Sequence, residues 1–109
     1  MPHQSSDLFY ELRLRFLSEG QQSSALLLQT PAESLDLPTV RKVVHAWAGA
    51  GGMLGCPQIT TQARIIEQLI REPIDGSRQS IWDALQTSHQ VFSQWIEADS
   101  RSKPIEVLS

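Results

Sequence analysis

Apolar residues recur every three to four positions along most of this 109-residue chain, and proline or glycine interrupts the pattern at intervals. That spacing places apolar side chains on one face of an α-helix. The sequence contains almost no strand signal, because no alternating β-branched run is bounded by turn residues. The pattern predicts an all-α fold, and helices of this length with short connections favour an antiparallel four-helix bundle.

The turn and capping residues predict the helix boundaries. The first helical region starts near Ser6 or Asp7 and reaches Gln29, as one long helix or as two that Gly20 breaks or kinks, and a short extra N-terminal helix fits the same pattern. After a loop, three more helices are predicted, from Leu37 to Gly55, from Thr60 or Thr61 to Glu72, and from Ser77 to about Asp99. A turn is predicted at Asp75-Gly76-Ser77, and a loose tail over 100–109.

The composition fits a single soluble domain over residues 1–109, with 40% hydrophobic and 19% charged residues. A net charge of -3 argues against a nucleic-acid or anionic-membrane binder, which would carry a basic excess. The lone Cys56 suits a reducing cytoplasm, and neither a signal peptide nor a transmembrane run is expected. We expect a cytoplasmic monomer that binds other proteins.

No catalytic or cofactor motif stands out in the sequence. The three histidines and Cys56 lack metal-ligand spacing, so neither a metal site nor a cofactor is predicted. No acid, base and nucleophile are arranged in a recognisable catalytic pattern. The chain is therefore not expected to be an enzyme with its own active site.

The second half of the helix predicted from Leu37, from His45 to Gly55, is unusually rich in glycine for a helix. Gly49, Gly51 and Gly52 lie in a stretch that otherwise reads as helix, and each costs roughly 0.5–1 kcal/mol there relative to alanine. Such conflicts tend to mark functional sites. Small residues just after a histidine suggest that a large partner must approach the imidazole closely.

A helical wheel at about 100° per residue separates two faces of this helix. One face carries the apolar stripe of an amphipathic helix, formed by Val40, Val43, Val44, Trp47, Gly51 and Leu54. The opposite face carries His45, which is predicted to point to solvent beside Arg41, Lys42, Ala48, Gly49 and Gly52. A neutral imidazole there is a nucleophile, and the neighbouring cations suit a phosphoryl group.

Residues 45–55, His-Ala-Trp-Ala-Gly-Ala-Gly-Gly-Met-Leu-Gly, resemble the signature of the histidine-containing phosphotransfer (HPt) domain family. That signature is a histidine followed by Leu-Lys-Gly, small residues and Leu-Gly. The sequence Ala-Arg-Ile-Ile-Glu at 63–67 also resembles the family's next helix. The resemblance implies a four-helix bundle in which His45 is the phosphoacceptor, and in which Gly49 and Gly52 leave room for docking.

The resemblance also implies the partners, which are response-regulator receiver domains or a hybrid histidine kinase of a two-component phosphorelay. The receiver supplies the Mg²⁺, the aspartate and the other catalytic groups. One residue departs from the family pattern, because Ala48 stands where the family has lysine. Two hypotheses follow: Arg41 and Lys42 compensate and the chain carries phosphate, or the chain is a degenerate module that docks receivers or kinases without efficient transfer.

Overall fold

A computed structural model describes the backbone of residues 3–72 and 77–102 and the side chains of residues 8–72 and 77–99. Four helices account for most of these residues: α1 (His3–Leu28), α2 (Leu37–Met53), α3 (Pro57–Arg71) and α4 (Ser77–Ser102). A 3₁₀ turn over Ala32–Ser34 precedes α2, and no strand occurs in the described ranges. The predicted all-α, four-helix architecture is confirmed.

The helices pair as two antiparallel couples, α1 with α4 and α2 with α3, and α3 also packs on α4. The α1–α4 pair is joined by polar side chains as well as by its core. The Arg13 guanidinium donates two hydrogen bonds, of 2.9 and 2.6 Å, to the buried carboxylate of Asp99. Nearer the other end of the pair, the Gln21 amide donates to the Ser93 hydroxyl at 2.9 Å. These bonds set the register of the two longest helices.

The core is formed by one continuous cluster of buried apolar side chains from all four helices and the connection before α2. Its members are Leu17, Leu35, Val40, Val44, Trp47, Ala48, Cys56, Ile59, Ala63, Ile66, Ile81, Leu85 and Phe92. Of the apolar stripe predicted for α2, Val40, Val44 and Trp47 belong to this cluster and Val43 packs against it. Within the described residues, no helix combines the length and the apolar character needed to cross a bilayer.

Phe92 lies at the centre of the bundle, and its ring explains why residue 20 is a glycine. Its ring meets Phe16 and Trp47 edge to face, with centroid distances of 5.7 and 4.9 Å. A Cβ atom on Gly20 would lie 2.2 Å from that ring. Gly20 therefore admits Phe92 against α1 and does not divide the helix, so of the two alternatives left open by the sequence, one long helix is the one observed.

The turn between α2 and α3 fixes how these two helices face each other. Gly55 has a φ of +77°, and the Cys56 N–H donates to the Gly51 carbonyl at 2.8 Å, as in a Schellman motif. The expected C-terminal glycine of α2 is thereby confirmed. The expected start of α3 at Thr60 or Thr61 is wrong, because Pro57 already occupies the first helical position.

Other helix ends differ by a few residues from the sequence-based prediction. Helix α1 begins at His3 rather than at Ser6 or Asp7, and no separate N-terminal helix precedes it in the described residues. Helix α4 continues to Ser102, so the first part of the expected loose tail is helical. The rest of that tail, residues 103–109, and the expected turn from Asp75 fall partly or wholly outside the described residues.

Candidate functional site

His45 lies in the middle of α2, on the side that faces away from the core. Its side chain is 80% exposed, whereas Val44 and Trp47 beside it are buried. Pro38 and the apolar stripe position the helix: proline is pre-organised for a first turn, and the stripe seats α2 on the core. The structure therefore places the imidazole on the solvent side, as the wheel indicated.

Glu67 on α3 holds the His45 ring in one orientation. His45 Nδ1 lies 2.8 Å from Glu67 Oε2. An ionised carboxylate only accepts hydrogen bonds, so Nδ1 carries the hydrogen and donates it. In neutral imidazole this leaves Nε2 without a hydrogen and with its lone pair free. The Glu67 side chain is only 13% exposed, so the anchor is packed while the nucleophilic nitrogen is open.

No role for Glu67 is predicted from the sequence, although the sequence contains a signal for its position. His45 and Glu67 stand at equal distances in sequence on either side of Cys56, which ends the α2–α3 turn. In an antiparallel helix pair joined by a tight turn, residues equally far from the turn lie at the same height. A helical wheel treats α2 alone and does not contain this information.

A cleft between α2 and α3 opens beside the imidazole. It has a volume of about 650 Å³ and is lined by Leu37, Pro38, Arg41, Lys42, His45, Glu67, Ile70 and Arg71. The structure thus brings Arg41, Lys42 and His45 together, as the sequence analysis expected. It adds a third cation, Arg71 at the end of α3, which sequence reasoning did not single out. An exposed imidazole and three exposed cations suit an anionic group.

Ala48 was expected on the open surface beside His45, and that expectation is wrong. It is 5% exposed, because α3 packs on α2 at this height. The Thr60 hydroxyl donates to the Ala48 carbonyl at 2.9 Å. A helical wheel places Ala48 beside His45 because it represents α2 alone and leaves out the packing of α3. Position 48 belongs to the α2–α3 contact.

The three glycines of α2 have different surroundings. A Cβ atom on Gly49 would meet nothing within 4 Å, and on Gly52 it would approach only Thr60 Oγ1, at 3.8 Å. On Gly51 it would lie 2.7 Å from the same atom. Gly49 and Gly52 therefore leave a smooth, open surface beyond His45, while Gly51 lets α3 approach. The helical wheel predicts the same division, with Gly49 and Gly52 on the His45 face and Gly51 on the core face.

Met53 extends the open surface and was not singled out from the sequence. It lies two turns beyond His45 on α2, one turn beyond Gly49, and its side chain is 82% exposed. Methionine is enriched at protein interfaces and adapts to irregular partner surfaces. We use the term docking surface for His45, Gly49, Gly52 and Met53.

Cys56 is separate from this site. The thiol is buried and free, and burial raises its pKa, an effect that Arg13 partly offsets and Asp99 reinforces. A thiol of raised pKa is a poor nucleophile at neutral pH. Among the described residues, no group of three His, Cys, Asp or Glu side chains is arranged to hold a metal ion.

Comparison with known proteins adds one match. The family model described as the Hpt domain matches residues 11–98, which include α2, α3 and most of α1 and α4. Searches among curated proteins and among solved structures find no match. The matched span contains His45, Glu67 and the cleft between them, and it covers most of the chain. The chain belongs to the Hpt domain family, whose members carry phosphoryl groups on histidine in phosphorelays and interact with receiver domains and kinases.

Proposed function

We propose that this chain is a phosphorelay intermediate in which Nε2 of His45 accepts a phosphoryl group from a receiver-domain aspartate and passes it to another. The observation that carries the proposal is the exposed imidazole, anchored at Nδ1 by Glu67 and bordered by a surface without bulky side chains. Hpt domains are phosphotransfer carriers rather than enzymes in the ordinary sense. The partner is accordingly expected to supply the remaining catalytic groups.

The proposed step exchanges one phosphorus bond for another. The Nε2 lone pair attacks the phosphorus of the aspartyl phosphate, the Nε2–P bond forms, and the P–O bond to the aspartate breaks, releasing the carboxylate. The ring becomes positively charged as it is phosphorylated. Glu67 is placed to stabilise that charge through the Nδ1–H bond. Donation to a second receiver is the reverse of this step.

Two features of the surface support docking on a receiver. Gly49 and Gly52 remove side-chain bulk within two turns of His45, and the exposed Met53 offers apolar contact area. We propose that the docking surface meets the face of the receiver that carries the phosphorylated aspartate. We further propose that the chain works as a monomer in the cytoplasm.

The alternative function is a binding module that docks receivers or kinases without efficient transfer. The observation that favours it is residue 48: it is an alanine, buried against α3, and so offers no cation to a phosphoryl group. This alternative predicts receiver binding that survives substitution of His45, with no movement of phosphate.

The test uses isolated receiver domains of the source organism, labelled with ³²P by acetyl phosphate and mixed with the chain. We expect label on the wild-type chain that is acid-labile and stable in alkali, and none on His45→Gln. His89→Gln is the control, since His89 faces Ser24 of α1 and not the docking surface. If every labelled receiver keeps its phosphate while binding the chain, the carrier proposal is wrong and the binding module stands.

A further inference from the structure

The α2–α3 cleft holds more positive charge than the resemblance accounts for. Arg41, Lys42 and Arg71 all line it and are exposed. Among the described side chains, none of the three forms an ion pair, whereas Arg13 and His45 do. Glu67 is the one carboxylate in the lining, and it is engaged by Nδ1 of His45. Three cations against one carboxylate leave an excess of two positive charges, which matches a phosphoryl group on nitrogen.

The register of the helix pair places Arg71 opposite Arg41. His45 and Glu67 face each other across the cleft. Arg41 precedes His45 by four residues on α2, and Arg71 follows Glu67 by four residues on α3. Because the two helices are antiparallel, both arginines are displaced in the same direction, by about 6 Å at 1.5 Å per residue. They therefore border the same side of the imidazole.

The direction in which helical side chains lean separates the two arginines. Side chains on an α-helix tilt toward its N-terminus. On α2 this tilt carries Arg41 away from His45, and it carries His45 toward the cleft. On α3, which runs the opposite way, the tilt carries Arg71 back toward Glu67 and the imidazole. Arg71 is consequently the better placed of the two arginines to reach a group on Nε2.

We infer that Arg71 is the residue that binds the phosphoryl group on His45, so that the cation comes from α3 and not from residue 48 of α2. The inference rests on the proposed function of His45. An arginine offers a planar pair of donors that matches two phosphoryl oxygens. Arg41 and Lys42 add positive charge along the opposite wall, and Glu67 remains on the Nδ1 side of the ring, away from the phosphoryl oxygens.

The test uses phosphoramidate, a small phosphodonor that needs no partner protein. It transfers its phosphoryl group to imidazole nitrogen, with cleavage of its P–N bond and release of ammonia. We expect Arg71→Gln to lower the rate of His45 phosphorylation about fivefold. That loss corresponds to the free energy of a charge-assisted hydrogen bond that is weakened by exposure to solvent. Arg71→Lys keeps the charge and should recover part of that loss.

Arg64→Gln is the matched control, because Arg64 is exposed on the same helix but does not line the cleft. It removes the same charge and should leave the rate within about twofold of wild type, as expected for a screened charge outside the site. In ¹⁵N spectra, the Nε–H signal of Arg71 should shift when His45 is phosphorylated, and that of Arg64 should not. Circular dichroism checks that the variants are folded.

The outcomes distinguish a failure of the assignment of Arg71 from a failure of the proposed function of His45. Equal rates for wild type and Arg71→Gln, together with an unmoved Arg71 signal, overturn the inference and leave His45 as the acceptor. If phosphoramidate labels the wild-type chain and His45→Gln equally, the proposed function itself fails, and the assignment of Arg71 fails with it.

Discussion

At the level of single residues, the proposed function depends on the groups that surround the two nitrogens of one imidazole. Nδ1 is held by a largely buried carboxylate, while the His45 side chain as a whole is exposed to solvent. The exposure of His45 followed from the sequence, because the apolar stripe of α2 defines the opposite face. Glu67, Arg71 and the burial of Ala48 did not follow from it. All three depend on how α3 lies against α2, which is a property of the helix pair and not of one helix.

A substitution of Glu67 tests the role of the Nδ1 anchor. We expect Glu67→Ala to slow phosphorylation of His45 about tenfold, because the ring loses both its fixed tautomer and the negative charge that stabilises the imidazolium. Glu67→Gln keeps an acceptor and should be less impaired. Phosphorylation by labelled receivers is the measurement, and Glu72→Gln, an exposed carboxylate that ends α3 and does not line the cleft, is the control. Wild-type rates in both Glu67 variants would show that the anchor is not used.

At the level of helices, the four helical regions and most of their boundaries could be predicted from periodicity and from proline and glycine, although the division of the first region could not. The undecided and the wrong boundaries have physical causes. Gly20 is compatible in sequence with one helix or two, whereas in the structure it allows the close approach of Phe92, and a wheel of α1 contains no information about that ring. Thr60 resembles a cap, yet its hydroxyl is used between helices, on the Ala48 carbonyl.

The glycines of α2 give a paired test of the helix contact. We expect Gly49→Ala to raise the free energy of unfolding by about 0.5–1 kcal/mol, since the new methyl group enters open space and alanine favours the helix. Gly51→Ala places a methyl group 2.7 Å from Thr60 Oγ1, and we expect a net loss of about 1–2 kcal/mol. Urea unfolding measures both. Shifts of the same sign in the two variants would contradict the described packing of α3 on α2.

At the scale of the whole molecule, a chain with a net charge of -3 carries a locally cationic cleft beside one histidine. The bundle keeps α2 and α3 in fixed register through a continuous core, and this register brings the acceptor, its anchor and the cations together. The site provides few functional groups, namely an oriented nucleophile, its anchor and a group of cations. That suits a carrier whose partner provides the rest of the active site.

Locating the phosphorus on the chain shows whether Nε2 of His45 accepts the phosphoryl group. The ¹⁵N-labelled chain is phosphorylated by the receiver that transfers fastest to it, and long-range ¹H–¹⁵N spectra of the histidine rings are recorded. We expect phosphorus on Nε2 of His45, with Nδ1 still carrying its hydrogen. Phosphorus on Nδ1 of His45, or on the ring of His3 or His89, would contradict it.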